Sequence, residues 1–125
     1  MIAADTSSVI AYLAGATGAD VATLEVALRD RQVCLPPVVL TELLSAPDLP
    51  KEVATRLLEL PLLAVTDGYW QRAAALRARG LAAKRRARLG DALIAQSCLD
   101  HDVRLITRDR DFQIFARAAG LRITT

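Results

Sequence analysis

Met1-Ile-Ala-Ala-Asp5-Thr-Ser-Ser-Val-Ile10-Ala-Tyr-Leu13 is the stretch that decides the fold. Residues 2–4 are a short apolar run that fits a buried strand, and the run stops at Asp5. Thr6, Ser7 and Ser8 follow, and Val9, Ile10, Ala11 and Leu13 then return at helical spacing. The order is strand, carboxylate, hydroxyl-rich turn, helix. In an open α/β sheet the C-terminal ends of strands border the crevice where ligands bind, so Asp5 stands where a functional acid would stand. Asp, Ser and Thr are also preferred helix caps, so a capping role for Asp5 or Thr6 stands beside the functional one.

The same alternation continues outward from this unit. Residues 20–31 read as a helix with Val21, Leu24, Ala27 and Leu28 on one face, and 33–35 as a strand closed by Pro36 and Pro37. Pro37 fits the first turn of a helix over 38–45. Pro47 and Pro50 mark a turn before a helix over 51–60 that points Val53, Leu57 and Leu58 inward. Residues 62–65 read as a third strand, and 68–79 as an alanine-rich basic helix ended by Gly80. A basic linker leads to an apolar helix over 91–100 and a fourth strand over 103–107. A helix over 109–119, stopped by Gly120, and a short strand over 121–123 complete the chain. Strands alternating with helices predict an α/β fold with a short, mostly parallel sheet covered on both faces.

At 125 residues, with 53% hydrophobic and 24% charged residues, the chain fits one domain over 1–125 with a real core. No apolar stretch approaches the roughly 20 residues of a membrane helix. The N-terminus lacks a basic leader segment, which predicts no secretory signal. Cys34 and Cys98 sit apart in apolar surroundings and are expected to be buried thiols in a reducing, cytoplasmic compartment. The net charge of +2 hides an asymmetry: between Asp67 and Asp91 no acid occurs, while Arg72, Arg77, Arg79, Lys84, Arg85, Arg86 and Arg88 all do. Such a block is either a solvated face or a surface that tracks phosphates beside an acidic pocket. For Arg85, Arg86 and Arg88 the second possibility predicts contacts with phosphates.

Three more acids join Asp5. Glu42 lies in VVLTELLS, one turn from Val38 and Val39, where a carboxylate either reaches solvent from the helix edge or needs its charge offset. Asp91 opens GDALIAQSCL and has the position of a helix cap. Asp109 follows the fourth strand in RLITRDRDF, again at a strand end and again placed to cap a helix. In a doubly wound sheet these positions can converge on one crevice. Carboxylates packed together need a counter-charge, and an all-oxygen set suits Mg²⁺ or Mn²⁺. Such a cation activates water and stabilises a phosphodiester under attack. His101 is alone, so neither a zinc cluster nor a serine triad is expected. The phosphate loops GxGxxG and GxxxxGK[ST] and the GxSxG elbow are missing. Ser7 replaces the second acid of a DxD phosphoaspartyl enzyme, and no lysine follows a late strand as a receiver domain requires.

Taken together, Asp5-Thr6-Ser7 after an N-terminal strand, Glu42 within VVLTELL, GDALIAQSCL and LITRDRDF resemble the PIN-domain ribonucleases. Length and order are similar to those of the VapC toxins of bacterial VapBC toxin–antitoxin modules. The resemblance implies a PIN-like three-layer α/β/α fold and a Mg²⁺- or Mn²⁺-dependent endoribonuclease. It implies a metal site of Asp5, Glu42, Asp91 and an acid of TRDRDF, supported by Thr6 or Ser7 and by Thr107. Asp109 and Asp111 both qualify as that last acid. Asp109 is expected to hold metal, because its strand should neighbour that of Asp5, and Asp111 to support it. The resemblance further implies an RNA substrate, a homodimer and a VapB-like antitoxin that blocks the site. The alternative is a catalytically silent PIN-like module whose acids are helix caps.

Overall fold

The opening apolar run is strand β1 (Ile2–Ala4), which pairs in parallel with β2 (Val33–Cys34) on one side and β3 (Arg104–Ile106) on the other. Strand β4 (Ile123–Thr124) adds beyond β3, giving the parallel order β2-β1-β3-β4. The computed structural model describes residues 1–124; Thr125, the last residue of the expected domain, lies outside the described residues. Helices α1 (Thr6–Leu13) and α2 (Ala19–Arg29) lead from β1 to β2. Helices α3 (Pro37–Leu44), α4 (Lys51–Leu58), α5 (Tyr69–Ala82) and α6 (Leu89–His101) lead back across to β3. A 3-10 turn (Arg110–Phe112) and α7 (Gln113–Ala119) precede β4.

The chain leaves β1 towards one edge and later returns to its other side. Right-handed crossovers then place α1 and α2 on one face and α5, α6 and α7 on the other; α5 packs against both α6 and α7. This is the expected three-layer α/β/α arrangement. The strands can be short because both faces are covered: Ala3, Ala4, Leu105 and Ile106 are fully buried. Phe112 and Phe115, also fully buried, meet edge to face with ring centres 6.2 Å apart and lock the last crossover. The direction of winding reverses between β1 and β3, so a crevice opens at their C-terminal ends.

Several local expectations are corrected. The strand expected over 62–65 is reduced to a single parallel bridge, Leu35 to Leu62, with Leu35 N–H donating to the Pro61 carbonyl. It lies at the sheet edge with residues 62, 64 and 65 exposed, so nothing buries a longer strand there. Gly80 does not end α5. A Cβ at Gly80 would stand 2.8 Å from the Ala87 Cβ, so the glycine lets the basic linker pack onto the helix. Leu58, expected inward, is exposed, because Val53 and Leu57 already form the inner face of α4. Helix α6 begins at Leu89 with Arg88 at its N-cap, so Asp91 is in its first turn rather than at its cap. The segment after β3 opens with the 3-10 turn before α7, and the last strand falls at Ile123–Thr124 rather than over 121–123. Gly120, in the left-handed region at φ 76°, does stop α7.

Candidate metal centre

Both strands at the reversal point run straight into site residues. The Asp5 N–H donates to the Ile106 carbonyl at 2.9 Å, so the β1–β3 ladder continues one step and sets Asp5 beside Thr107. Asp5 precedes α1, yet its side chain makes no capping bond to that helix. Instead its Oδ2 accepts the Thr107 hydroxyl at 2.7 Å and the Ser7 hydroxyl at 2.6 Å. Asp5 is only 4% exposed and Thr107 1%. Burial pushes the Asp5 carboxyl up, with the charge of Asp109 adding to the rise and the two hydroxyls opposing it.

Thr107 also serves the next acid, because its Oγ1 accepts the Asp109 N–H at 3.0 Å. Asp109 in turn caps the 3-10 turn, its Oδ1 accepting the Asp111 N–H at 2.9 Å. Asp109 therefore caps the turn while standing among the acids. One carboxylate oxygen from each of Asp91, Asp109 and Asp111 lies within 4.8 Å of the others. Asp91 Oδ2 is buried without a hydrogen-bond partner, alone in this among the buried side-chain nitrogens and oxygens of the described residues. Burial first, then the charges of Asp109 and Asp5, push the Asp91 carboxyl up to about 6, while Arg88 opposes the rise. The ion pairs of the described residues are Arg72–Asp100, Arg108–Asp20 and Arg122–Asp102, and none reaches the cluster.

The structure thus brings Asp91, Asp109 and Asp111 to one point and joins Asp5 to them through Thr107. Asp111, expected in a supporting role, stands with Asp109 in the cluster. Glu42 is exposed on α3, outside that cluster, and its Oε1 accepts the Thr6 hydroxyl at 3.0 Å at the start of α1. Within the basic block, three arginines are occupied: Arg72 by Asp100, Arg77 by the Ala87 carbonyl and Arg79 by the Ala118 carbonyl. Lys84, Arg85, Arg86 and Arg88 are exposed along the linker that enters α6.

One network was not foreseen. Arg108 points away from the cluster and grips the buried Asp20, with Nε to Oδ2 at 2.8 Å and Nη2 to Oδ1 at 3.0 Å. Ser8 donates to the same carboxylate at 2.7 Å. Arg108 holds the Asp20 carboxyl down at about 2. The partners lie far apart in sequence and no local motif joins them.

The donor set fits a divalent cation. It is all oxygen, it carries a surplus of negative charge, and one buried oxygen lacks any partner. Asp91, Asp109 and Asp111 would hold the ion, with Asp5 adjoining.

Acids gathered at the reversal point of a parallel sheet define the class: an α/β protein with an acidic site at its strand ends. The PIN-domain family model matches residues 2–120, and the chain belongs to the PIN-domain family. It is similar to solved structures of toxin–antitoxin proteins. One is a member of the VapBC family, VapBC-5 from Mycobacterium tuberculosis, with 27% identity over 73% of this chain and 79% of that one, TM-score 0.56. Another is VapBC2 from Rickettsia felis bound to a DNA fragment from their promoter, with 19% identity, 99% and 98% coverage and TM-score 0.71. No curated protein matches the chain.

Proposed function

We propose that this chain is the toxin of a VapBC-type module and a Mg²⁺- or Mn²⁺-dependent endoribonuclease. The observation that carries the proposal is the uncompensated cluster, in which the buried Asp91 Oδ2 faces the charges of Asp109, Asp5 and Asp111 without a partner. Carboxylates held this way repel one another, and a divalent cation relieves that repulsion. The ion supplies, when bound, an activated water and charge neutralisation at the phosphodiester. Ser7 and Thr107 fix the Asp5 carboxylate by donating to Oδ2, and Thr107 fixes the Asp109 backbone as well. Thr6 orients the Glu42 carboxylate at the edge of the site. Arg85, Arg86 and Arg88 lie on the linker leading to the helix that carries Asp91, where they bind RNA phosphates and keep the backbone near the acids.

Partners follow from the surface. Mean hydropathy is +0.27, and Ile10, Leu13, Val26, Leu58, Leu62 and Trp70 are all exposed. An apolar groove of about 680 Å³ runs between α1, α2 and α4, lined by Val9, Tyr12, Leu24, Leu28, Val53 and Leu57. A VapB-like antitoxin, of the kind named in the 27%-identical VapBC-5 structure, would cover apolar surface of this sort. Trp70, 63% exposed beside a shallow hollow lined by Val38, Val65 and Leu93, supplies a face for a homodimer. No helix among the described residues is long and apolar enough to cross a membrane; we place the protein in the cytoplasm.

The test is cleavage of single-stranded and structured RNA by parent, Asp5→Asn and Asp91→Asn proteins purified in parallel. The parent should cut with Mg²⁺ or Mn²⁺ and stop with EDTA, and both variants should be inactive. Cleavage by either variant at the parent rate would remove the proposed site.

A further inference from the structure

Two of the three clustered acids, Asp109 and Asp111, are carried by the segment that leaves β3, which the β4 side holds through the Thr107 N–H donating to the Thr124 carbonyl at 3.2 Å. Thr107, Arg108 and Asp109 leave β3 in sequence, and Asp109 is extended at φ −86°, ψ 118°. Side chains alternate along extended chain, so Thr107 and Asp109 face one side and Arg108 the other. The side carrying Thr107 and Asp109 is the site, with Thr107 Oγ1 bound to Asp5 and to the Asp109 N–H. On the other side Arg108 is held by Asp20 through two hydrogen bonds, and its Nη2 also donates to the Thr17 carbonyl at 3.1 Å. Paired N–H donors on one carboxylate fix a guanidinium in orientation as well as position.

The receiving end of this clamp is built to match. Asp20 is 4% exposed and its carboxylate also accepts the Ser8 hydroxyl, so it cannot follow a wandering arginine. Gly18, at φ 148°, makes room: a Cβ there would stand 2.7 Å from Asp20 Oδ1 and 2.9 Å from Arg108 Nη2. The clamp therefore ties the start of α2 and the buried face of α1 to the back of the acid-bearing segment.

We propose that Asp20 and Arg108 are positioning residues for the cluster. By holding Arg108 from behind, Asp20 fixes the segment so that Thr107 meets Asp5 and Asp109 meets Asp91 and Asp111. Asp20 is not among the acids that would hold metal, and neither residue lies on the basic linker. The inference rests on the metal-site reading only for its metal readout, and its geometric content stands without metal.

Two measurements separate these layers. Amide hydrogen exchange of Asp109 and Asp111 in EDTA reports the Thr107 and Asp109 side-chain bonds directly, and Mn²⁺ affinity by EPR titration reports the assembled site. The variants are Arg108→Ala, which removes the clamp, and Gly18→Ala, which wedges it apart with both charges kept. Arg108→Lys retains one charge pair without the paired donors, and Arg72→Ala breaks the separate Arg72–Asp100 pair as a stability control. Arg108→Ala and Gly18→Ala should speed exchange at Asp109 and Asp111 at least tenfold and weaken Mn²⁺ binding at least fivefold. Arg108→Lys should fall between them and the parent, and Arg72→Ala should change neither quantity. Unchanged exchange in Arg108→Ala, or equal acceleration in Arg72→Ala, would overturn the proposal. A parent that binds no Mn²⁺ would instead overturn the metal reading, with the exchange data still judging the clamp.

Discussion

Replacing Asp91 by Asn should make the metal-free protein more stable, the reverse of what deleting a functional residue in a packed core does. The Asp91 carboxyl is pushed from its ordinary 3.8 up to about 6 by burial and by the charges of Asp109 and Asp5. At roughly 1.4 kcal/mol per unit, that rise corresponds to a penalty of about 3 kcal/mol at neutral pH. Asp91 is only partly buried, so solvent screening reduces the figure to about 1–2 kcal/mol. Because the folded pKa is raised, the folded protein binds more protons than the unfolded chain between 3.8 and about 6. Stability must therefore fall as pH rises through that window, and the penalty must be absent below it. Asn removes the charge and offers an amide that donates to neighbouring carboxylates. In EDTA at pH 7.5, Asp91→Asn should raise Tm by roughly 3–10 °C, taking ~3–5 °C per kcal/mol for a domain of this size. The gap should close at pH 4. Added Mn²⁺ should raise the Tm of the parent, as any ligand of the folded state does, and leave that of the variant nearly unmoved. Thermal unfolding followed by circular dichroism reads all three. A variant less stable than the parent in EDTA at pH 7.5, or equally responsive to Mn²⁺, would refute the electrostatic reasoning.

Asp109→Asn should lose RNA cleavage at every Mn²⁺ concentration, because Asp109 is tied to Thr107 and to the Asp111 N–H as well as facing the cluster. Asp111→Asn should lose it partly and recover at high metal, and the reverse order in a Mn²⁺ titration would exchange their roles. Replacing Arg85, Arg86 and Arg88 together with Gln should weaken RNA binding across sequences. For every phosphate these arginines neutralise, the slope of log affinity against log salt should become shallower by ~0.7 on single strands, and an unchanged slope would exclude them from the interface. Acid denaturation should show the Asp20–Arg108 pair: with the Asp20 carboxyl held at about 2, its contribution is complete above 3.8 and is lost as pH falls from there towards 2. Arg108→Ala should erase that component of the profile, and an unaltered acid limb in the variant would count against the pairing.

The reversal-point crevice was legible because its two edges are written locally. A strand that breaks on Asp5 and another that breaks into Thr107-Arg108-Asp109 each announce a sheet end within a few residues. The face of α2 was legible for the same reason, since helical spacing names Leu24 and Ala27 as inner residues. What failed depended on distant neighbours. Residues 62–65 carry strand-like composition, but only the sheet edge decides that they form one bridge. Gly80 looked like a helix stop because the Ala87 side chain that requires it lies on the following linker. Spacing alone could not settle whether Glu42 reached solvent; the width of the buried face of α3 decides that it is exposed. Asp20 gave no signal at all, because its meaning comes entirely from Arg108, 88 residues away.

The most direct test of the cluster as a metal centre is a crystal of the parent protein soaked in Mn²⁺ and measured at the manganese absorption edge. The anomalous difference map should show density bonded to carboxylate oxygens of Asp91, Asp109 and Asp111, with the Asp91 Oδ2 that now lacks a partner among the ligands. A map empty at that point under saturating Mn²⁺, or with its only peak elsewhere on the molecule, would contradict the assignment.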